Sequence, residues 1–251
     1  MAGHSKWSKV KRSKGALDVK RGTLFSKLSK EITVAARMGG GDPSGNPRLR
    51  ASVLAARAQS MPNENIDRAI KRAMGEGEGS AHIEELVYEG YAPGGIALLV
   101  EVATDNKNRT AADLRLIFTK NHGNLASSGS VGYLFKRRGQ IIVPLDAVGE
   151  DRLLEIVLDA GADELNADGE HYIVTTAPDQ LYAVAEALKN AGVPTESQKL
   201  TYLPDTTVPL HDEAIAAQVL KLCDALEDND DVQNVHANFD LPEELLAKLS
   251  A

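Results

Sequence analysis

The chain has 251 residues, 43% of them hydrophobic, which suffices for two or three domains with buried cores. Its net charge is -8, with one cysteine and no apolar run near the length of a membrane span, so a disulfide framework and a membrane-spanning role are excluded. The charge is split: residues 1–75 carry 16 basic and 5 acidic side chains, whereas residues 76–251 carry 12 and 31. One end is built to meet a polyanion and the other to repel it.

The first thirty residues hold seven Lys and two Arg against the single acid Asp18. Gly3-His4-Ser5-Lys6-Trp7-Ser8-Lys9-Val10-Lys11-Arg12-Ser13-Lys14 is a poor core. Ammonium groups separated by small residues suit phosphates, and one indole face suits base stacking. The alternative is a solvated tail that binds nothing. No apolar stretch follows it as in a secretory signal, although its basic, acid-poor composition is also compatible with a mitochondrial presequence. The chain is expected to be cytoplasmic.

Leu17 to Arg37 is predicted helical, with Leu17, Leu24, Leu28, Ile32 and Ala35 on one face and Lys20, Lys27, Lys30 and Arg37 on others. Asn46 is an N-cap signal with Pro47 at the first helical position, predicting a second helix to about Gln59. Ile66, Ala69, Ile70, Ala73 and Met74 mark a third, stopped by Gly75. Three helices with one apolar face each predict a helical bundle with a basic exterior. Gly75-Glu76-Gly77-Glu78-Gly79-Ser80, where the charge sign flips, is the predicted linker.

Strands are expected at Val87–Tyr91 and over the nearly all-apolar 96–102, joined by the turn Ala92-Pro93-Gly94-Gly95. Thr104-Asp105-Asn106 has capping chemistry for a helix carrying Ala111, Leu114, Ile117 and Phe118. Ser130 to Phe135 is predicted as a further strand. Residues 136–204 then read as β-α-β-β-α-β, with a hairpin turn at Asp168-Gly169, which is the ferredoxin-like order. A short strand around Val208, a helix over Asp212–Glu227 and a strand carrying Val235, Ala237 and Phe239 complete the chain. The expected fold is α+β and multidomain: a basic arm and three-helix domain (1–75), an α/β domain (80–135 plus 205–251), and a ferredoxin-like α/β domain (136–204) inserted in it.

Chemistry-bearing motifs mostly fail. Gly40 to Gly45 has phosphate-loop glycine spacing, but Asn46 stands where lysine must reach the phosphates. Six dispersed histidines and the lone Cys223 make no zinc pattern, and no Gly-x-Ser-x-Gly elbow is present. No catalytic residue, metal ligand or cofactor is assigned, and an enzyme is not expected. Two glycine-rich segments remain: Tyr88 to Gly95, either a turn or an interaction loop, and His122 to Ser130, either a mobile connector or a set of backbone amides facing an anion.

Ala2-Gly3-His4-Ser5-Lys6-Trp7, Met61-Pro62-Asn63, Tyr88-Glu89-Gly90-Tyr91 with Pro93-Gly94-Gly95, Thr104-Asp105-Asn106 with Asn108-Arg109-Thr110, and Gly129-Ser130-Val131 together closely resemble the YebC/PmpR family. That resemblance implies three domains, one inserted in another, and a non-enzymatic nucleic-acid-binding role. Members are described as bacterial transcriptional regulators, with a mitochondrial relative that activates translation. The expected partner is DNA, contacted by His4, Lys6, Trp7, Lys9, Lys11, Arg12, Lys14, Lys20, Arg21, Arg68, Lys71 and Arg72. The alternative partner is ribosomal or transfer RNA and the ribosome.

Overall fold

The computed structural model describes residues 19–75 and 82–250. The arm before residue 19 and most of the predicted Gly-Glu linker lie outside the described residues. Three helices open the described part: α1 (Val19–Gly39), α2 (Pro47–Ala58) and α3 (Asn63–Ala73). Their apolar stripes meet in one core of Ile32, Ala35, Ala36, Leu49, Val53, Ala56, Met61, Ile66 and Ala69. Four alanines at these contacts let the helix axes approach closely.

Asn46 fixes the α1–α2 corner. Its side-chain oxygen accepts from Leu49 N, while Nδ2 donates to Ala35 O and Gly40 O at 2.8 and 2.9 Å. The residue that ruled out a phosphate loop is therefore a buried cap joining two helices.

The first sheet is built on a hairpin of β1 (Glu84–Ala92) and β2 (Ile96–Thr104), turned by Pro93–Gly95 with φ of +75° and +74° at Gly94 and Gly95. Those left-handed values are why two glycines occupy the turn. After β2 come α4 (Lys107–Lys120), the two-residue β3 (Asn124–Leu125) and β4 (Phe135–Pro144), which carries the chain out of this unit.

The chain returns with β8 (Val208–Pro209), α7 (Glu213–Glu227), β9 (Val232–Ala237), β10 (Phe239–Asp240) and α8 (Glu243–Ser250). The sheet order is β3-β1-β2-β9, with β1 antiparallel to both neighbours and β2 antiparallel to β9. Spatially this is a ferredoxin-like sheet: β2, α4 and β3 form a split β-α-β unit around β1, but the central strand β1 comes first in the chain. Ile96, Leu98, Val100 and Val102 face α4 and α7, where they pack on Leu114, Phe118, Val219, Leu222, Cys223 and Leu226. The alternate residues Ala97, Leu99 and Ala103 are also buried, as the nearly all-apolar run predicts, with Glu101 its one polar member.

Two sequence expectations are corrected here. Residues 130–134 form turns, with 3₁₀ geometry over Gly132–Leu134, and strand β4 starts only at Phe135. The amides that a strand would use are bound to Glu89, as described below. Helix α8 was not anticipated, although Leu241, Leu245 and Leu249 recur every four residues and pack on the first-sheet core.

Residues 136–203 form a separate compact unit. It runs β4, α5 (Glu150–Asp159), β5 (Ala162–Ala167), β6 (His171–Thr176), α6 (Leu181–Asn190) and β7 (Ser197–Pro204). Its strand order, β5-β6-β4-β7, is that of a ferredoxin-like sheet. Gly169 adopts φ +88° in the predicted Asp168-Gly169 hairpin. Ile141, Val143, Val174, Leu153, Val157, Leu181, Val184 and Leu188 are fully buried between the sheet and its two helices.

Candidate nucleic-acid interface

Eleven basic and four acidic residues lie in 19–75, and the structure sorts the basic ones by where they reach. One group turns toward the first sheet. Lys27 Nζ donates to Glu227 O at the C-terminal end of α7, where the helix dipole favours a cation. Lys30 Nζ pairs with Asp231 and donates to Asp230 O at 2.9 Å. Arg37 Nη1 donates to Ile83 O at 3.4 Å. Arg48 bridges Glu31 at 2.9 Å and Glu85 at 2.6 Å. These cations hold the helices to the sheet and are spent on that joint.

The receiving end is Asp231, at the start of β9. Thr110 Oγ1 donates to its Oδ2 at 2.7 Å, and Arg109 Nη2 donates to the same oxygen at 3.0 Å. Arg109 also pairs with Asp105 at 2.9 Å, and the Asn106 side chain caps α4 by accepting from Arg109 N. Burial pushes the Asp231 carboxyl up, but Lys30, Thr110 and Arg109 pull harder and leave it at about 2. Thr104-Asp105-Asn106 and Asn108-Arg109-Thr110 thus contribute much of an anion socket that receives a cation from α1.

Tyr88-Glu89-Gly90-Tyr91 likewise has an architectural explanation. Gly129 N donates to Glu89 Oε1 at 2.7 Å, while Val131 N and Gly132 N donate to Oε2 at 2.6 and 2.8 Å. Burial raises the Glu89 carboxyl, yet these backbone donors hold it below the ordinary carboxylate range. Tyr91 Oη donates to Ser130 O at 3.1 Å, and Tyr88 Oη to Lys107 O at 3.3 Å. Of the 122–130 segment Gly129 gives its amide to an anion, the chain's own Glu89, and the other two donors, Val131 and Gly132, lie just beyond it. Sequence alone could not reveal this, because the carboxylate lies forty residues before the first amide it binds.

The second group of cations points outward. Arg68, Lys71 and Arg72 on α3 are exposed and make no ion pair among the described residues. They share the exposed side of that helix with Glu64 and Asp67, so its field is diluted. Arg21 is exposed at the start of α1, its guanidinium 5.5 Å from the Phe25 ring centroid. The side chain of Lys20 lies outside what the structure describes, as do His4, Lys6, Trp7, Lys9, Lys11, Arg12 and Lys14. Arg50 and Arg57 on α2 are also exposed; the sequence reading missed them, although their i, i+7 spacing was visible.

Other polar clusters are local. His236 Nε2 and Asn234 Nδ2 both contact Glu101 Oε2, at 2.9 and 3.0 Å, across β2 and β9. Among the described residues no group of three or more His, Cys, Asp or Glu is placed to hold a metal ion. No helix of the described residues is long and apolar enough to cross a membrane.

Comparison with known proteins identifies the family. The family model described as the TACO1/YebC protein N-terminal domain matches residues 5–76, and that described as the TACO1/YebC second and third domain matches residues 83–239. A protein of Rubrobacter xylanophilus is 55% identical over 250 residues, covering 100% of both chains. One from Chlorobaculum tepidum is 54% identical, covering 99% of each. Both carry the name "probable transcriptional regulatory protein". The crystal structure of a conserved hypothetical protein from Aquifex aeolicus superposes with a TM-score of 0.82 at 50% identity, covering 90% of this chain and 92% of that one. The chain belongs to the TACO1/YebC family.

Proposed function

We propose that this protein is a non-enzymatic nucleic-acid-binding regulator of gene expression, acting on DNA in transcription through its basic N-terminal region. The observation that carries the reading is the sorting of cations. Lys27, Lys30, Arg37 and Arg48 are engaged in the fold, whereas Arg68, Lys71 and Arg72 are displayed without a carboxylate partner among the described residues. The names of the relatives support the regulatory role. Lys6, Lys9, Lys11, Arg12 and Lys14 neutralise phosphates, and Trp7 stacks or wedges. Contacts of this kind position a protein on a duplex without reading sequence.

A second reading, an RNA- or ribosome-associated translation factor, is favoured by one feature. The exposed side of α3 mixes Glu64 and Asp67 with its cations, which suits it poorly to reading base edges in a groove. A basic arm with one aromatic then threads among RNA phosphates.

Both versions predict salt-sensitive binding. With five phosphates neutralised by the arm, log K falls against log salt with a slope of about -4 to -5 on duplex DNA. Deleting residues 1–14 flattens that slope; unchanged slope and affinity would refute the arm as the binding element. Crosslinking in cells with sequencing of the bound nucleic acid separates the partners. Promoter DNA without ribosomal or transfer RNA rejects the translation reading, and the converse rejects transcription.

A further inference from the structure

Helix α2 contains no acidic residue: its sequence is Pro-Arg-Leu-Arg-Ala-Ser-Val-Leu-Ala-Ala-Arg-Ala. Leu49, Ser52, Val53 and Ala56 are buried, and Arg48 is taken by Glu31 and Glu85. What remains outward is a row of Arg50, Leu54 and Arg57. At about 100° per residue, positions 50 and 57 fall almost in line, two turns or about 10.5 Å apart. Leu54 lies close to that line and is 53% exposed. Neither arginine side chain makes a hydrogen bond or ion pair among the described residues, so both guanidinium groups stand outside the contacts that hold the fold.

We infer that this α2 face is a second phosphate-contacting surface for a nucleic-acid duplex, additional to the arm and resting on the nucleic-acid reading above. Guanidinium groups bind phosphate oxygens in bidentate fashion, and two on one helix hold a fixed separation. Ala51 and Ala58 on the Leu54 side of the row leave little bulk to keep a backbone away. Leu54 gains cover from sugar carbons between the two contacts. On α3 the neighbouring acids oppose such a contact; on α2 none is present.

The test is fluorescence anisotropy of the full chain with a labelled random-sequence duplex over a range of KCl concentrations. Arg50→Gln/Arg57→Gln keeps a polar, unbranched side chain of similar helix propensity and removes both charges, and a far-UV CD melt unchanged from wild type checks the fold. Loss of two phosphate contacts makes the salt slope shallower by about 1.8 and weakens binding about tenfold or more at low salt. Leu54→Asp, which leaves both arginines in place, weakens binding through repulsion. Wild-type slope and affinity in the double variant, while deletion of residues 1–14 still flattens the slope, overturn this surface and leave the nucleic-acid reading standing. Failure of the wild-type chain to bind the duplex overturns the surface, and failure on single-stranded RNA as well overturns the reading with it. A defect of the double variant seen only on single-stranded RNA overturns the duplex as partner of this face.

Discussion

Exchanging Glu89 for glutamine tests whether one carboxylate holds the loop over residues 129–132. In the native chain Oε1 accepts from Gly129 N, and Oε2 accepts from Val131 N and Gly132 N. Glutamine keeps one acceptor oxygen and replaces the other with an NH₂ group, which then faces backbone N–H donors. Whichever way the amide turns, at least one charge-assisted bond is lost and the others weaken. Bonds to a charged group contribute about 1.5–3 kcal/mol each, so losing one or two gives a loss of about 2–6 kcal/mol. The lower half of that range is expected, because Gly129 is exposed and its freed amide can find water. Urea denaturation reads the loss, and amide hydrogen exchange reads its location as faster exchange at Gly129, Val131 and Gly132. The linkage has a definite sign. A folded-state carboxyl held below its ordinary value adds stability above that ordinary value, and this is lost as pH falls through the folded one. The gap between wild type and variant therefore narrows in acid. Native exchange rates in the variant, with its midpoint in place, would refute the account.

Asp231→Asn removes the charge that binds Lys30 and Arg109 while keeping an acceptor for Thr110. Breaking a buried pair costs about 3–5 kcal/mol, but Lys30 and Arg109 are partly exposed and regain water, so a loss of about 1–3 kcal/mol is expected in urea titrations at neutral pH. Because the native carboxyl sits at about 2 against an ordinary 3.8, the difference persists above about pH 4 and disappears as pH falls toward 2. Gly90→Ala should destabilise by about 1–3 kcal/mol or more through overpacking. Its added Cβ would lie 2.6 Å from Phe118 Cε1 and 2.8 Å from Asn124 O, an immobile ring and a backbone oxygen. A melting temperature equal to wild type would show that the β1–α4 contact is looser than described.

The elements legible in the sequence are those whose cause is local. The i, i+3, i+4 spacing of Ile66, Ala69, Ile70 and Ala73, the Asn46-Pro47 cap and the Asp168-Gly169 turn each carry their geometry in a few adjacent residues. The apolar run from Ile96 also announced a strand covered on both faces. Ser130–Phe135 misled because its competitor is remote: a local pattern suggests a strand, but a carboxylate on β1 takes the amides. The same distance hides the site. Basic residues can be counted, but Lys30 becomes a joint only because Asp231 lies two hundred residues away in the chain and beside it in the fold. The family motifs were legible as motifs and not as roles. Tyr88 to Tyr91 left a turn and an interaction loop both open, and Thr104 to Asn106 read as a helix cap, which Asn106 is; that these side chains also brace a loop and a helix joint was not legible.

That sorting changes what net charge says about binding. The +11 of residues 1–75 overstates the field offered to a partner, since Lys30 and Arg48 face carboxylates and Lys27 and Arg37 face carbonyl oxygens. The cations left for the proposed polyanion are those of the arm, with Arg21 on α1, Arg50 and Arg57 on α2 and the diluted set on α3. Beyond residue 75 acids outnumber bases by 19, so a polyanion is repelled there. For the proposed polyanion, attraction by the basic N-terminal region and repulsion by the acidic remainder would favour one orientation of encounter. Raising the salt weakens both effects within about 8–10 Å of screening length, so it should slow association as well as loosen the complex. Neutralising Arg50 and Arg57 subtracts from the attraction without touching the joint. Asp231→Asn loosens the joint and leaves every outward cation in place. The two variants should therefore separate, one losing affinity at native stability and the other losing stability while its folded fraction binds at least as tightly, since Lys30 and Arg109 are freed from Asp231.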